Sequence, residues 1–289
     1  MLDQAQKLTK GIPTSVLLML LPALLLSLVF FVIPMVQVAL TSILTPESAG
    51  QTRKWTLAAY WVVIQDDFYW EVIGRTLHIG ILTTLASVVF GYPAALFLYF
   101  SRSRWRQVFL FILISPLFVS VIVRAYGWVI LLSPNGAINA LLPEELKLRI
   151  FQTNTAIVVG LVHIYIPFMV LSLNTALSRV KRVWLLAAAN LGASPLRIFK
   201  DILLPLSLPG LMSGCVIVFS IAMTAFTIPI LLGGAKNKTM AYLIYQEQLL
   251  LANWQQGSAL AVLLLLATLS VVFILGRVGN SRNSDLGIR

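Results

Sequence analysis

Charge is scarce in this chain. Only 11% of its 289 residues are Asp, Glu, Lys or Arg, where a soluble domain carries roughly 25%, and the 59% hydrophobic share is more apolar surface than a soluble core absorbs. A single cysteine, Cys215, excludes a disulfide frame within the chain and a cysteine metal site. No glycine-rich phosphate loop with Lys followed by Ser or Thr occurs, so the chain cannot hydrolyse ATP by that machinery. Acids are scarcer than bases, 10 against 21, and none lies in the middle of an apolar run. A hydrolase within the membrane needs a nucleophile with its base, or paired carboxylates, and neither is found. An ion-coupled secondary transporter usually places carboxylates or a repeated broken helix at mid-membrane; those are missing too, which ranks that reading low.

Apolar length is what the chain does have. A hydrocarbon core about 30 Å thick asks for helical runs of roughly 20 residues, and six can be read, near Ser15 to Leu40, Val72 to Phe100, Val108 to Leu132, Ala156 to Leu177, Leu206 to Leu232 and Gly257 to Leu275. Each is predicted to be helical, because lipid offers no partner for backbone N–H and C=O groups. Pro34, Pro93, Pro116, Pro167 and Pro229 are expected as kinks. The fold class is therefore all-α, a polytopic transmembrane helical bundle of about six helices, read as a single domain over 1–289. The first run follows Lys7 and Lys10 but is too long for a removable signal and has no small-x-small site close behind it. It is expected to be a retained signal-anchor helix.

A net charge of +11 raises the question of nucleic acid, but its distribution points to a membrane. Assigning alternate connections to one side gathers Lys7, Lys10, Arg102, Arg104, Arg106, Arg179, Lys181, Arg182, Arg197, Lys200, Arg277, Arg282 and Arg289. The other side holds Arg53, Lys54, Lys147, Arg149, Lys236 and Lys238, with Arg75 and Arg124 at or inside helices. The positive-inside rule then places both N and C termini in the cytoplasm, and no nucleic-acid partner is expected. On the outer side, Thr41 to Glu71 carries Trp55, Tyr60, Trp61, Tyr69 and Trp70, which suit the membrane surface. The outer loop Ser133 to Asn154 opens on the turn signal Ser-Pro-Asn-Gly and continues into a short amphipathic stretch around Leu141 to Ile150.

Between the fourth and fifth runs lies a basic, helix-prone segment. Val180, Val183, Trp184, Ala187, Ala188 and Leu191 recur at helical spacing and predict a helix over Ser178 to Asn190. Gly192 stands where a left-handed C-terminal cap belongs. Ser194 is placed to cap a second helix with Pro195 at its first position, and Pro205 and Pro209 are expected to end the segment. Small Ala187 and Ala188 allow another surface to approach closely, so the loop reads as a docking element.

Its residues carry a resemblance. Leu186-Ala187-Ala188, three residues, Gly192, nine residues, then Ile202-x-Leu204-Pro205 resembles the Glu-Ala-Ala cytoplasmic loop of permease subunits in type I ATP-binding-cassette importers, with Leu186 in place of the Glu. The resemblance spans about Tyr69 to Leu275. It implies the type I importer permease fold, with an N-terminal helix at 15–40, a permease core over about 69–276 and a coupling loop at 178–205. It also implies a bacterial inner-membrane location and a non-catalytic subunit. Its partners would be a second permease subunit, two ATPase subunits that hold the ATP and Mg, a periplasmic substrate-binding protein and membrane lipid; this chain itself would bind no cofactor or metal.

Leu186, Ala187, Ala188, Gly192, Ala193, Ile202, Leu204 and Pro205 would form the ATPase-coupling surface. The family's Glu commonly supplies polar contacts there, so Leu186 implies a more apolar groove in this chain's ATPase. Arg124-Ala-Tyr126-Gly-Trp128 and Phe226-Thr227-Ile-Pro229-Ile-Leu-Leu-Gly-Gly-Ala-Lys-Asn resemble segments of polyamine-type permeases. That resemblance implies a spermidine or putrescine importer whose two permease chains differ.

Ionisable groups inside apolar runs mark candidate path or gate positions. Here they are Arg124, with Tyr126 and Trp128 beside it, in the third run, His78 in the second and His163, with Tyr165, in the fourth, while Thr227 and Pro229 mark a helix interruption. A buried Arg can contact solute, contact the binding protein or lock helices by donating to carbonyls; a lone His is more often a helix-to-helix hydrogen bonder. Polycations prefer carboxylates and aromatic faces, while these runs offer Arg124 and no acid. Opines, amino acids and organic anions therefore stay open as solutes.

Overall fold

A computed structural model of the chain describes residues 14–45, 54–101, 104–234 and 236–285, with side chains described from Met19 to Arg277. Lys7, Lys10, Arg53, Arg102 and Arg289 of the charge argument lie outside the described residues, as does the side chain of Arg282. Among the described residues there are helices and no strand, only one isolated bridge between Leu44 and Trp55.

In chain order the helices are α1 (Thr14–Ser27), α2 (Ile33–Ser42), α3 (Ala58–Gln65), α4 (Asp67–Phe100), α5 (Trp105–Ile114), α6 (Val121–Leu132), α7 (Ala137–Ala140), α8 (Asn154–Leu177), α9 (Arg182–Asn190), α10 (Pro195–Ile198), α11 (Leu204–Met223), α12 (Thr227–Leu232), α13 (Met240–Tyr245) and α14 (Trp254–Asp285). Six stretches are long and apolar enough to cross a bilayer: Met19–Ser42, Asp67–Phe100, Val121–Ala140, Asn154–Leu177, Pro195–Met223 and Trp254–Arg277.

Proline accompanies two of the three π-turns among the described residues; the third, Gln246–Leu250, has none. Pro93 and Pro167 sit inside uninterrupted helices, as expected. Pro34 and Pro205 each follow a π-turn, Leu28–Val32 and Phe199–Leu203. In both cases the residue just before the proline donates five residues back, Ile33 to Leu28 and Leu204 to Phe199. A π-turn widens the ladder by one residue, and the missing proline N–H falls where the register has already shifted.

Two predicted runs are broken outright. Pro116 does not kink a helix from Val108 to Leu132: Ser115–Phe118 is a 3₁₀ turn and Val119 is extended, so the run divides into α5 and α6. The run Leu206 to Leu232 is likewise two helices, because the α-helical ladder stops at Met223 and resumes at Thr227. Pro229 therefore lies in the first turn of α12, where an absent N–H is harmless.

The centre of the bundle is the trio α4, α8 and α11, with α14 against α11 and α2 against α14. Lipid gives apolar side chains no reason to cluster, so close packing must hold spans together. A Cβ on Gly210 of α11 would stand 2.5 Å from Ala176 Cβ and 2.6 Å from the Ser172 carbonyl of α8; only glycine lets these helices approach so closely.

Three apolar clusters follow. One, around Leu173, Leu177, Leu185 and Leu203, lies at the end of the bundle that carries the 178–205 loop. A second, around Leu132, Leu161, Ile228 and Leu232, occupies the opposite end. The third joins Val63 and Val72 to Met223, Leu243 and Leu260.

At that opposite end α3 carries exposed Trp61, with Trp55 and Trp70 exposed beside it. The stretch Leu141 to Ile150, expected to be amphipathic, has only the 3₁₀ turn Glu144–Leu146; the helical turn is upstream, at α7. Asn139 governs this loop. It is buried, donates to the Ser133 and Leu148 carbonyls and accepts from the Leu148 N–H, so the chain satisfies a polar side chain instead of continuing a helix.

Candidate functional site

The 178–205 loop is a two-helix element joined by glycine. Its first helix starts at Arg182, not Ser178, because Ser178 to Val180 form turns that close off α8 and Lys181 is extended at the N-cap. Its end is a Schellman motif: the Ala193 N–H reaches the Ala188 carbonyl at 3.0 Å and the Gly192 N–H reaches Ala189 at 2.9 Å, with Gly192 at φ +84°. Ser194 then accepts from the Arg197 N–H at 3.4 Å and caps α10.

Pro205 and Pro209 do not end the segment, contrary to expectation. Through the π-turn, α10 runs on into α11 as one span from Pro195 to Met223. Ile202, Leu204 and Pro205 thus belong to the base of a membrane helix.

The apolar stripe of this loop faces outward. Leu185 is buried and anchors α9, whereas Val183 is 69% exposed, Leu186 63% and Leu191 89%. Ala187 is exposed on the same helix and Ala188 is half-buried at its end.

Tethers at the base of the loop have no sequence motif. Arg182 Nη2 donates to the Tyr99 and Phe100 carbonyls at 2.8 and 3.1 Å, so the carbonyl end of α4 is held by the first residue of α9. The Tyr99 hydroxyl donates to the Val180 carbonyl at 3.1 Å. Buried Tyr92 shares a 2.6 Å hydrogen bond with Ser207 Oγ and stacks edge-on against Phe199. Arg182 was legible only as one more positive charge, and Tyr92 as one more apolar residue.

Of the membrane candidates, four converge. Trp128 Nε1 donates to His163 Nδ1 at 3.1 Å, with the rings edge to face, and so links α6 to α8. Tyr165 lies within electrostatic reach of Arg124, as does His163. Arg124 Nε and Nη1 are buried and have no hydrogen-bond partner among the described residues.

Tyr126, on the same helix, is 54% exposed. Thr227 and buried Pro229 sit on α12, which packs against α6 and α8, so the helix interruption adjoins the cluster. At the far end of that interruption Arg75 donates to the Lys236 and Lys238 carbonyls while pairing with Glu71, and Asn237 donates to the Gln152 and Gly233 carbonyls. Those anchors hold the segment after α12 and were not foreseen.

Residues 87–278 match the family described as the binding-protein-dependent transport system inner membrane component. The chain belongs to that family. It is a multi-pass inner-membrane permease of the ATP-binding-cassette importer class.

Among its relatives are the spermidine/putrescine transport system permease protein PotB of Escherichia coli K12, 35% identical over 82% of this chain and 88% of the relative, and PotB of Salmonella typhimurium LT2, 33% identical over 90% and 93%. The putrescine transport system permease protein PotI of E. coli K12 is 24% identical over 87% of each. In fold, the chain is similar to a bacterial ABC transporter involved in import of the acidic polysaccharide alginate, with a TM-score of 0.75 and 19% identity over 92% of this chain and 95% of that one.

Proposed function

We propose that this chain is one of two different permease subunits of a polyamine importer, passing spermidine or putrescine from a periplasmic binding protein across the membrane, with two ATPase subunits engaging the 178–205 loop. The observation that carries the mechanical part is the continuity of α10 with α11. A push on the exposed apolar surface of α9 is transmitted through a closed Schellman turn into one helix reaching Met223. ATP and Mg stay with the ATPases, and this chain binds no cofactor.

The charge distribution supports an orientation with the loop end in the cytoplasm: Arg104, Arg106, Arg179, Lys181, Arg182, Arg197, Lys200 and Arg277 all belong to that end. Val183, Leu186, Ala187, Leu191 and Ala193 then meet an apolar groove of the ATPase that needs no carboxylate at 186. Arg124, Trp128, His163 and Tyr165, beside the interruption at Thr227 and Pro229, gate the path on the other side. An interruption at this depth supplies backbone dipoles that can turn toward a cavity.

Polyamine as the solute rests on the names of the 33–35% identical relatives. One observation favours a second reading, an organic anion, amino acid or opine: the unpaired guanidinium edge of Arg124 suits a carboxylate. ATPase activity of the reconstituted complex, measured with its binding protein loaded with spermidine, putrescine or an acidic ligand, separates the two. Stimulation by the polyamine-loaded protein alone is expected, and stimulation only by the acid-loaded form would overturn the assignment. Crosslinks from Leu186 to Ala193 that never reach an ATPase subunit would overturn the docking role.

A further inference from the structure

Beside the base of the loop lies a cleft of about 700 Å³ between the end of α4, the start of α5, the end of α8 and the start of α9. Arg104, Arg106 and Arg182 line it, with Gln107, Asn174 and Ser178 among the polar groups, and no carboxylate lines it among the described residues. Arg182 spends one nitrogen on the α4 carbonyls. Arg104 and Arg106 have no ion pair among the described residues; the pairs found there are Glu71 with Arg75, Glu144 with Lys147 and Asp201 with Arg197.

Like charges gathered without a counter-ion repel one another, so the cleft is built to receive an anion. The starts of α5 and α9 add to the field: neither has a side-chain cap or an acid in its first turn.

Depth and flanks indicate what kind of anion. Ser101 follows a 34-residue helix, about 50 Å long, against roughly 30 Å of hydrocarbon, which sets the cleft at headgroup level. Beyond its lining, exposed apolar side chains continue along the same elements: Phe100, next to the lining residues Tyr99 and Ser101, is half-exposed, and α5, whose start lines the cleft, presents Trp105, Val108 and Phe111 outward. A basic cleft with an exposed apolar helix running from it matches an amphiphile with a phosphodiester head and acyl chains.

We propose that this cleft is a binding site for an anionic phospholipid, the phosphodiester engaging Arg104 and Arg106 and the chains lying along α5. Basic pockets between membrane helices at the cytoplasmic side are suited to such headgroups. The site is separate from the coupling surface and independent of which solute is carried.

The test uses the whole importer complex, purified from vesicles of phosphatidylcholine with and without phosphatidylglycerol, and counts the lipid retained by native mass spectrometry. Phosphatidylglycerol is expected to be retained over phosphatidylcholine. The double variant Arg104→Gln/Arg106→Gln is expected to lose on the order of tenfold in that preference, while Arg104→Lys/Arg106→Lys keeps most of it and Arg277→Gln all of it. A photo-crosslinker in place of Gln107 is expected to couple to phospholipid.

Equal retention of the two lipids, or a Gln double variant that assembles and matches the wild type, would overturn the proposal. Displacement of the lipid by inorganic phosphate would make the cleft a site for soluble anions instead. Coupling of the position-107 probe to an ATPase subunit would assign it to that interface. Lipid retention is read without transport, so failure here leaves the solute assignment standing, and failure of that assignment leaves this one standing.

Discussion

The chain on the two sides of Met223 behaves in opposite ways. From Pro195 to Met223 the helix is continuous despite two interior prolines; its base is tied to α4 through the Tyr92 and Ser207 hydroxyls and to the preceding helix through a closed Schellman turn. Beyond Met223 the ladder opens, α12 restarts at Thr227, and Arg124, on the helix α6 that packs against α12, keeps two buried nitrogens without partners among the described residues. The Tyr92 and Ser207 hydroxyls pair with each other at the base of the continuous part, whereas two nitrogens of Arg124 have no partner among the described residues beside the interrupted part. Unpaired groups in low dielectric are costly, and a permease is a setting in which that cost has a use.

Rigid packing at the loop end is the part most easily broken. Replacing Gly210 by Val puts a branched side chain against Ala176 and the Ser172 carbonyl. Overpacking of this kind costs about 1–3 kcal/mol or more, so the detergent-solubilised protein should lose thermal stability and much of its yield.

Gly192→Val ranks next. At φ +84° with nothing crowding it, a branched residue pays only backbone strain, about 1–2 kcal/mol. The chain should still insert, while ATPase stimulation by the loaded binding protein falls about tenfold. A variant that coupled normally would show that the Schellman turn is not a rigid joint.

Arg124 sharpens the contrast by its sign. Removing an unpaired buried charge relieves desolvation, so Arg124→Met should raise the melting temperature while lowering transport. A lower melting temperature would show that Arg124 is held by native contacts after all.

Tyr92→Phe removes one buried hydrogen bond and leaves Ser207 Oγ its bond to the Leu204 carbonyl; a loss of about 1 kcal/mol or less is expected in thermal unfolding. The smallest effect belongs to Leu186→Glu. On a side chain 63% exposed it changes little within the chain, and surface substitutions usually stay within about 0.5 kcal/mol; melting should be unchanged and coupling altered within about twofold.

Apolar length and charge placement were readable residue by residue, because a bilayer imposes both on the sequence directly. The spans were found within a few residues of their ends, except where Pro116 and the Thr224 to Phe226 interruption divided a run and where the fifth span begins at Pro195 instead of after Pro205. The Gly192 cap and the Ser194 cap were equally local. Hydropathy could not separate a kinked helix from two helices, since the residues on both sides of each break are equally apolar.

The sequence by itself determined that this is a helical membrane protein, where its glycine joint falls and which residues carry the family's loop pattern. Those follow from interactions within a few residues or with lipid. Only the tertiary structure decided that the stripe on α9 faces outward, that Tyr92 and Arg182 hold the loop's base, and that Arg124, near His163 and Tyr165, has two nitrogens without a partner among the described residues. Each depends on what lies across a helix interface some tens of residues away, and a linear pattern does not encode which partner a polar side chain will meet.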